Sequence, residues 1–206
     1  MTLRLLAPLC LALGAVATLS AQPIFEARAQ SSNAAALNYM LDASASEVTA
    51  RVPFFGLSSK TARFPSMAGA VTIVPGAPED AVIDVTFDAR ELEAPDETTL
   101  RRLRGERFFW VERYPTIRFV GESLSMSSPT EGTLTGELTA RGVTQSETLE
   151  ITFANDPTSA DGQAVDFSGE MVIDRREYGM RSYQLIVGNK VRIRLNARMV
   201  PDEVAS

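Results

Sequence analysis

The sequence predicts an all-β domain, a sandwich or a closed barrel, and three observations carry that expectation. Apolar and polar residues alternate with period two along several runs, the signature of antiparallel strands with one wet and one buried face. Clusters of Pro, Gly, Asn and Ser separate the runs: Pro75-Gly76-Ala77-Pro78, Ser127-Ser128-Pro129, Asn155-Asp156-Pro157 and Gly188-Asn189. The chain has no histidine and a single cysteine, Cys10, so neither a disulfide framework nor an ordinary zinc site stands in for a hydrophobic core.

The runs follow in chain order. Ile83, Val85 and Phe87 alternate with Asp84, Thr86 and Asp88, and Leu149, Ile151 and Phe153 with Glu150 and Thr152. Val165, Phe167, Gly169, Met171 and Ile173 form a longer set. Val191, Ile193, Leu195, Ala197 and Met199 form the cleanest, set against Arg192, Arg194, Asn196 and Arg198. Residues 47–54, 61–74, 116–124 and 133–140 are weaker strand candidates, which brings the expected total to about eight. One segment departs from the pattern. Asp96 after Pro95 can cap a helix that carries Glu97 in its first turn and Arg101, Arg102 and Arg104 near its end, before Gly105. That polarity suits the helix dipole, and Leu100 and Leu103 share one face.

The chain begins with a leader pattern. Arg4 precedes an uncharged apolar run, Leu5 to Leu19, and Ala27-Arg28-Ala29 offers a cleavage site before Gln30. The run is shorter than the roughly 20 residues a spanning helix needs. Residues 1–29 are therefore expected to be a cleaved signal peptide, which implies a periplasmic or secreted protein. Residues 30–36 are expected to be an N-terminal tail, residues 37–200 one domain, and residues 201–206 a C-terminal tail.

The mature chain would lack both histidine and cysteine, which removes the thiolate nucleophile, the imidazole base and the Ser-His-Asp triad. Carboxylates, Tyr and Lys remain, but a non-enzymatic role is expected. A formal net charge of −6 makes both nucleic acid and an anionic membrane poor partners on the balance of the whole surface. Asp84 and Asp88 share one strand face at a spacing of roughly 13 Å. Paired glycosidase carboxylates need roughly 5–9.5 Å. Arg192, Arg194 and Arg198 make an outward stripe expected to pair with Asp166, Glu170 or Glu150. Asp174-Arg175-Arg176-Glu177-Tyr178 is the densest polar cluster, expected to fix the turn into the last hairpin.

Four motifs in order resemble the YceI-like family of exported lipocalin-like proteins. Leu37-Asn38-Tyr39-Met40-Leu41-Asp42 resembles the family's opening. Arg107-Phe108-Phe109 with Tyr114-Pro115-Thr116-Ile117-Arg118-Phe119 resembles its Asp-Phe-Phe…Tyr-Pro-x-Ile-x-Phe signature. Residues 136–144, GELTARGVT, resemble Gly-x-Leu-Thr-x-His-Gly-Val-Thr, and residues 173–180, IDRREYGM, resemble Ile-Asp-Arg-x-(Asp/Glu)-Phe-Gly-(Ile/Met). Val187-Gly188-Asn189-Lys190-Val191 fits the family's final strand. Arg107 and Arg141 stand where the family usually has Asp and His, and Phe54 where it often has His.

The resemblance implies a closed eight-stranded antiparallel lipocalin-like β-barrel with one short helix beside its mouth. Its implied ligand is a long polyprenoid or quinone-like lipid, bound non-covalently in the lumen for transport, storage or stress protection. The contact set follows from the inward alternation: Ile83, Val85, Phe87, Ile117, Phe119, Leu138, Ile151, Phe153, Phe167, Met171, Ile173, Val191, Ile193 and Leu195, with Phe54, Phe109 and Trp110 near the mouth. Tyr114, Arg175 and Tyr178 are candidate head-group or turn contacts. Phe108, Phe109 and Trp110 are open to two readings, a greasy portal or a plug that closes the barrel end. No covalent cofactor, metal or stable membrane insertion is expected, and a homodimer is left open. The alternatives are a redox accessory or enzyme acting on a quinone-like head group, and a solid barrel that serves as an interaction module.

Overall fold

The protein is described by a computed structural model that covers residues 36–160 and 162–202. Ten strand segments and one helix follow in order: β1 (Leu37–Leu41), β2 (Glu47–Phe54), β3 (Ser58–Arg63), β4 (Met67–Ile73), β5 (Val82–Asp88), α1 (Glu97–Arg104), β6 (Thr116–Met126), β7 (Glu131–Ala140), β8 (Val143–Phe153), β9 (Val165–Asp174) and β10 (Lys190–Pro201). Every pairing is antiparallel. The sheet runs β1-β4-β5-β6-β7-β8-β9-β10 and closes because β10 also pairs with β1. β2 and β3 continue β1 and β4 upward, with β2 on the free edge of β10 and β3 on β2. The result is the closed eight-stranded antiparallel barrel that the sequence predicts, and closure leaves its strands few unpaired edges.

One strand is broken where a continuous run is expected. The expected strand over residues 61–74 is β3 and β4, parted at Phe64-Pro65-Ser66. Pro65 has no N–H to give a ladder, and the inward set changes phase from Ala62 and Phe64 to Met67, Val71 and Ile73. A 3-10 turn, Ala43–Ala45, separates β1 from β2, held by the Asp42 carboxylate, which accepts from Ser44 and Ala45. At the other terminus, Pro201 pairs with Tyr39 and the Asp202 N–H donates to the Asn38 carbonyl at 2.9 Å. The barrel thus reaches into the segment expected to be a tail. The leader expected over residues 1–29 lies outside the described residues.

Chain direction defines two ends. The lower end carries the β4–β5, β6–β7 and β8–β9 connections. The upper end carries the β2–β3 turn, the 89–115 segment with α1, the β7–β8 turn and the 175–189 loop. The β7–β8 connection is a two-residue hairpin turn with Arg141 and Gly142 both at positive φ, 53° and 72°. A Cβ at Gly142 would stand 2.5 Å from Tyr114 Cε1, so Tyr114 lies directly on that turn. Arg141 then donates to the carbonyls of Gly179 (2.8 Å) and Glu106 (2.9 Å), tying three upper loops together.

The helix forms where its signals predict. Asp96 caps it by accepting from the Thr99 N–H at 2.8 Å, and Gly105 ends it. Outside the barrel, the arginine stripe of β10 is paired as expected: Arg192 and Arg194 with Glu170 at 3.0 and 2.7 Å, and Arg198 with Asp166 at 3.5 Å.

Candidate functional site

The alternation of the strands places one face of each in the lumen, and those faces do not fill it. A cavity of about 220 Å³ remains, many times the space of one water molecule. Its floor is tightly packed. Tyr39, Ile73, Leu124, Leu134 and Met199 are at most 3% exposed at the lower end. Higher up, Ala50, Val52, Phe87, Val191, Ile193 and Leu195 line the same void yet are only partly buried. Close approach also shapes the waist. A Cβ on Gly136 would collide with the Val120 carbonyl oxygen and lie 2.7 Å from Phe119 Cζ.

The roof is built from α1 and the aromatic run after it. Thr99 and Leu103 of α1 line the cavity together with Phe108 and Phe109. Phe109 meets Phe64 edge-on at 5.7 Å and Phe64 meets Phe87 at 6.3 Å, so an aromatic row descends from the roof into the barrel. Phe108 stacks on Tyr183 at 6.1 Å. Trp110 takes no part in this row. Its φ of 50° turns the chain, and its ring sits with Tyr114 (5.8 Å) and under the Arg113 guanidinium (4.9 Å), off the cavity wall. Neither of the two expected roles, portal lining or plug, describes that position.

Four polar residues reach the wall, Lys60, Thr61, Thr99 and Arg175, and all four belong to the upper end. Lys60 donates to Asp96 at 2.9 Å, joining β3 to the helix cap. That bond, with those from Thr99, holds the Asp96 carboxyl down at about 2. Arg175 is only 2% exposed. Its guanidinium donates to the carbonyls of Gly188 (2.7 Å), Ser182 (2.9 Å), Val187 (2.9 Å) and Met180, so it organises the 175–189 loop from within. Burial lowers its pKa, and the nearby Asp174 opposes that shift. Asp174 itself is pinned well below the usual carboxylate range, chiefly by the Arg176 guanidinium at 2.7 Å.

Tyr178 is fully buried where β8 and β9 part above Glu150–Phe153 and Phe167–Glu170. Its hydroxyl donates to Glu147 at 2.7 Å. Burial pushes both groups up, the tyrosine strongly, while the tyrosine hydrogen bond partly offsets the rise at Glu147. Among the described residues, no group of His, Cys, Asp or Glu is arranged to hold a metal ion.

The structure brings together on one wall the fourteen strand positions of the expected contact set, Ile83 through Leu195, with Phe109 and Arg175. It leaves out Phe54, Trp110, Tyr114 and Tyr178. Phe54 lies instead under Lys60, 5.6 Å from its ring centroid, and against Phe55. Val48, Ala50 and Val52 also line the cavity and were readable from the same alternation over residues 47–54. Leu103, Met180 and Val187 join the wall from a helix and a loop, where no strand period marks them.

The YceI-like domain model matches residues 39–199. No curated protein matches the chain in sequence. Among solved structures, BcnA from Burkholderia cenocepacia superposes with a TM-score of 0.69 at 21% identity, covering 77% of this chain and 98% of its own. The YCEI protein of Campylobacter jejuni gives 0.61 at 19% identity, covering 69% and 84%. A polyisoprenoid binding domain from Saccharophagus degradans, implicated in plant cell wall breakdown, gives 0.62 at 13% identity, covering 81% and 99%. At these identities the likeness is one of fold.

Proposed function

The chain belongs to the YceI-like family, and on that premise we propose that it is an exported carrier that holds one long isoprenoid or quinone-like lipid in its lumen. The observation that carries this reading is the asymmetry of the cavity. Its wall is apolar from the floor upward, and its four polar residues, Lys60, Thr61, Thr99 and Arg175, gather at the roof. An apolar chain with one polar end suits such a container, tail toward the floor and head toward α1. The description of the Saccharophagus degradans domain as polyisoprenoid-binding supports the ligand class. The leader pattern over residues 1–29 supports export. Burial of a hydrocarbon chain is worth roughly 25 cal/mol per Å² removed from water, enough for retention without covalent attachment.

A displacement titration tests the proposal. A fluorescent polyene is loaded into the purified protein and competed with a long-chain isoprenoid alcohol and with a quinone bearing the same chain. Wild type and Arg192→Ala, whose side chain is on the outer face, are expected to retain the probe and release it to the competitors. Ile193→Glu, one residue further on and inside, is expected to lose it. Equal retention by Ile193→Glu would place the ligand elsewhere.

A further inference from the structure

Two loops at the upper end expose large apolar side chains side by side. The β2–β3 turn presents Phe55 at 61% and Leu57 at 98% exposure, and the 183–187 segment presents Leu185 at 99%. The loops are fastened to each other. The Phe55 N–H donates to the Ile186 carbonyl at 2.8 Å, the Gly188 N–H donates to the Pro53 carbonyl at 2.8 Å, and Phe54 bridges to Val187. Phe55 and Tyr183 both hold left-handed backbone, φ 52° and 58°, which non-glycine residues seldom adopt. Large apolar side chains left in water on two adjoining tips are a cost that the packing of the barrel does not explain.

Cations lie at the bases of the two loops although the chain as a whole carries −6. Lys60, paired with Asp96, lies over the Phe54 ring at 5.6 Å, and Arg102 and Arg107 lie over the Tyr183 ring at 6.0 and 5.6 Å. Apolar side chains that project beyond a basic collar are the pattern of a protein seated in a bilayer interface, where the apolar tips enter the acyl region and the cations meet anionic head groups. The surface is also continuous with the lumen, because Val187, two residues from Leu185, and Lys60, three from Leu57, both line the cavity.

We propose that the paired tips Phe55-Leu57 and Leu185, with Arg102 and Arg107, form a docking surface for an anionic lipid bilayer, which presents the mouth of the barrel to the membrane. A protein partner fits less well. Two narrow tips offer little of the roughly 1,200–2,000 Å² that stable protein interfaces bury. The docking rests on the lipid-carrier reading for its purpose, but its physical basis is independent of what the lumen holds.

Flotation of the full chain with liposomes tests it, using phosphatidylcholine alone and phosphatidylcholine with phosphatidylglycerol. Wild type is expected to float with the anionic vesicles, and less as salt is raised. The double variant Leu57→Asp/Leu185→Asp is expected to bind them at least about tenfold more weakly. Arg102→Gln/Arg107→Gln is expected to lose the preference for phosphatidylglycerol. Thermal midpoints of both variants should match wild type, since these side chains are exposed, and probe retention in the lumen should be unchanged. Undiminished flotation of the leucine variant would overturn the proposal, as would wild type that binds neither vesicle. A dimer that falls apart in the leucine variant would overturn it too, by showing that a second copy covers the tips. Loss of probe retention in wild type would instead strike the carrier reading and leave the docking result standing.

Discussion

The Lys60 ammonium on β3 lies 2.9 Å from the Asp96 carboxylate that caps α1. One carboxylate therefore holds the roof helix in two ways, by accepting from the Thr99 N–H in its first turn and by anchoring it to the β2–β3 hairpin.

That dual role predicts an acid response. The folded pKa of Asp96, about 2, is below its ordinary 3.8, so its contribution is complete above pH 3.8 and is lost as the pH falls through about 2. Asp96→Asn keeps an acceptor for the cap but removes the charge. Its thermal midpoint is expected to be lower than that of wild type at neutral pH and to converge with it by about pH 2. Paired melting curves across that range check this, and a constant gap at every pH would show that the ion pair contributes nothing to the roof.

The packed floor and hollow upper lumen predict unequal costs for the same truncation. Leu134, 3% exposed, belongs to the floor. Leu134→Ala is expected to cost about 2–5 kcal/mol in urea unfolding. Leu195→Ala should cost less than that range, because Leu195 is only partly buried while Leu134, which lines the same cavity, is almost fully so. Its effect should fall on lipid retention instead. Equal losses of stability would mean that the interior is uniformly filled.

Trp110 is the sole tryptophan, so its fluorescence isolates one site. Because it packs on Tyr114 and Arg113 off the cavity wall, loading the lumen is expected to leave its emission maximum unmoved, and Trp110→Ala is expected to leave retention unchanged. Phe109→Ala, which opens the roof beside Phe64, should speed release. A spectral shift on loading would put Trp110 on the ligand path.

The sequence carried the strands wherever neighbouring residues alone decide the outcome. Val191, Ile193 and Leu195 announce their face because a period of two needs no knowledge of the rest of the fold. The helix was equally legible from Asp96 to Gly105. The break at Phe64-Pro65-Ser66 was masked because Ala68, Gly69 and Ala70 are too small to show that the inward phase had changed. Trp110 was misplaced for a different reason. Nothing in Phe108-Phe109-Trp110 tells that the third residue takes a positive φ, and that single angle separates it from the other two. Met180 and Val187 reach the cavity only because Arg175 gathers the carbonyls of their loop, a long-range arrangement with no local period.

The most direct measurement is mass spectrometry of an organic extract from the protein purified after expression of the full chain, repeated after incubation with a mixture of isoprenoid lipids. A lipid-carrying lumen predicts an isoprenoid at about one molecule per barrel, present in wild type and Arg192→Ala and absent from Ile193→Glu. Wild-type extracts that contain no isoprenoid, together with no uptake from the mixture, would contradict it.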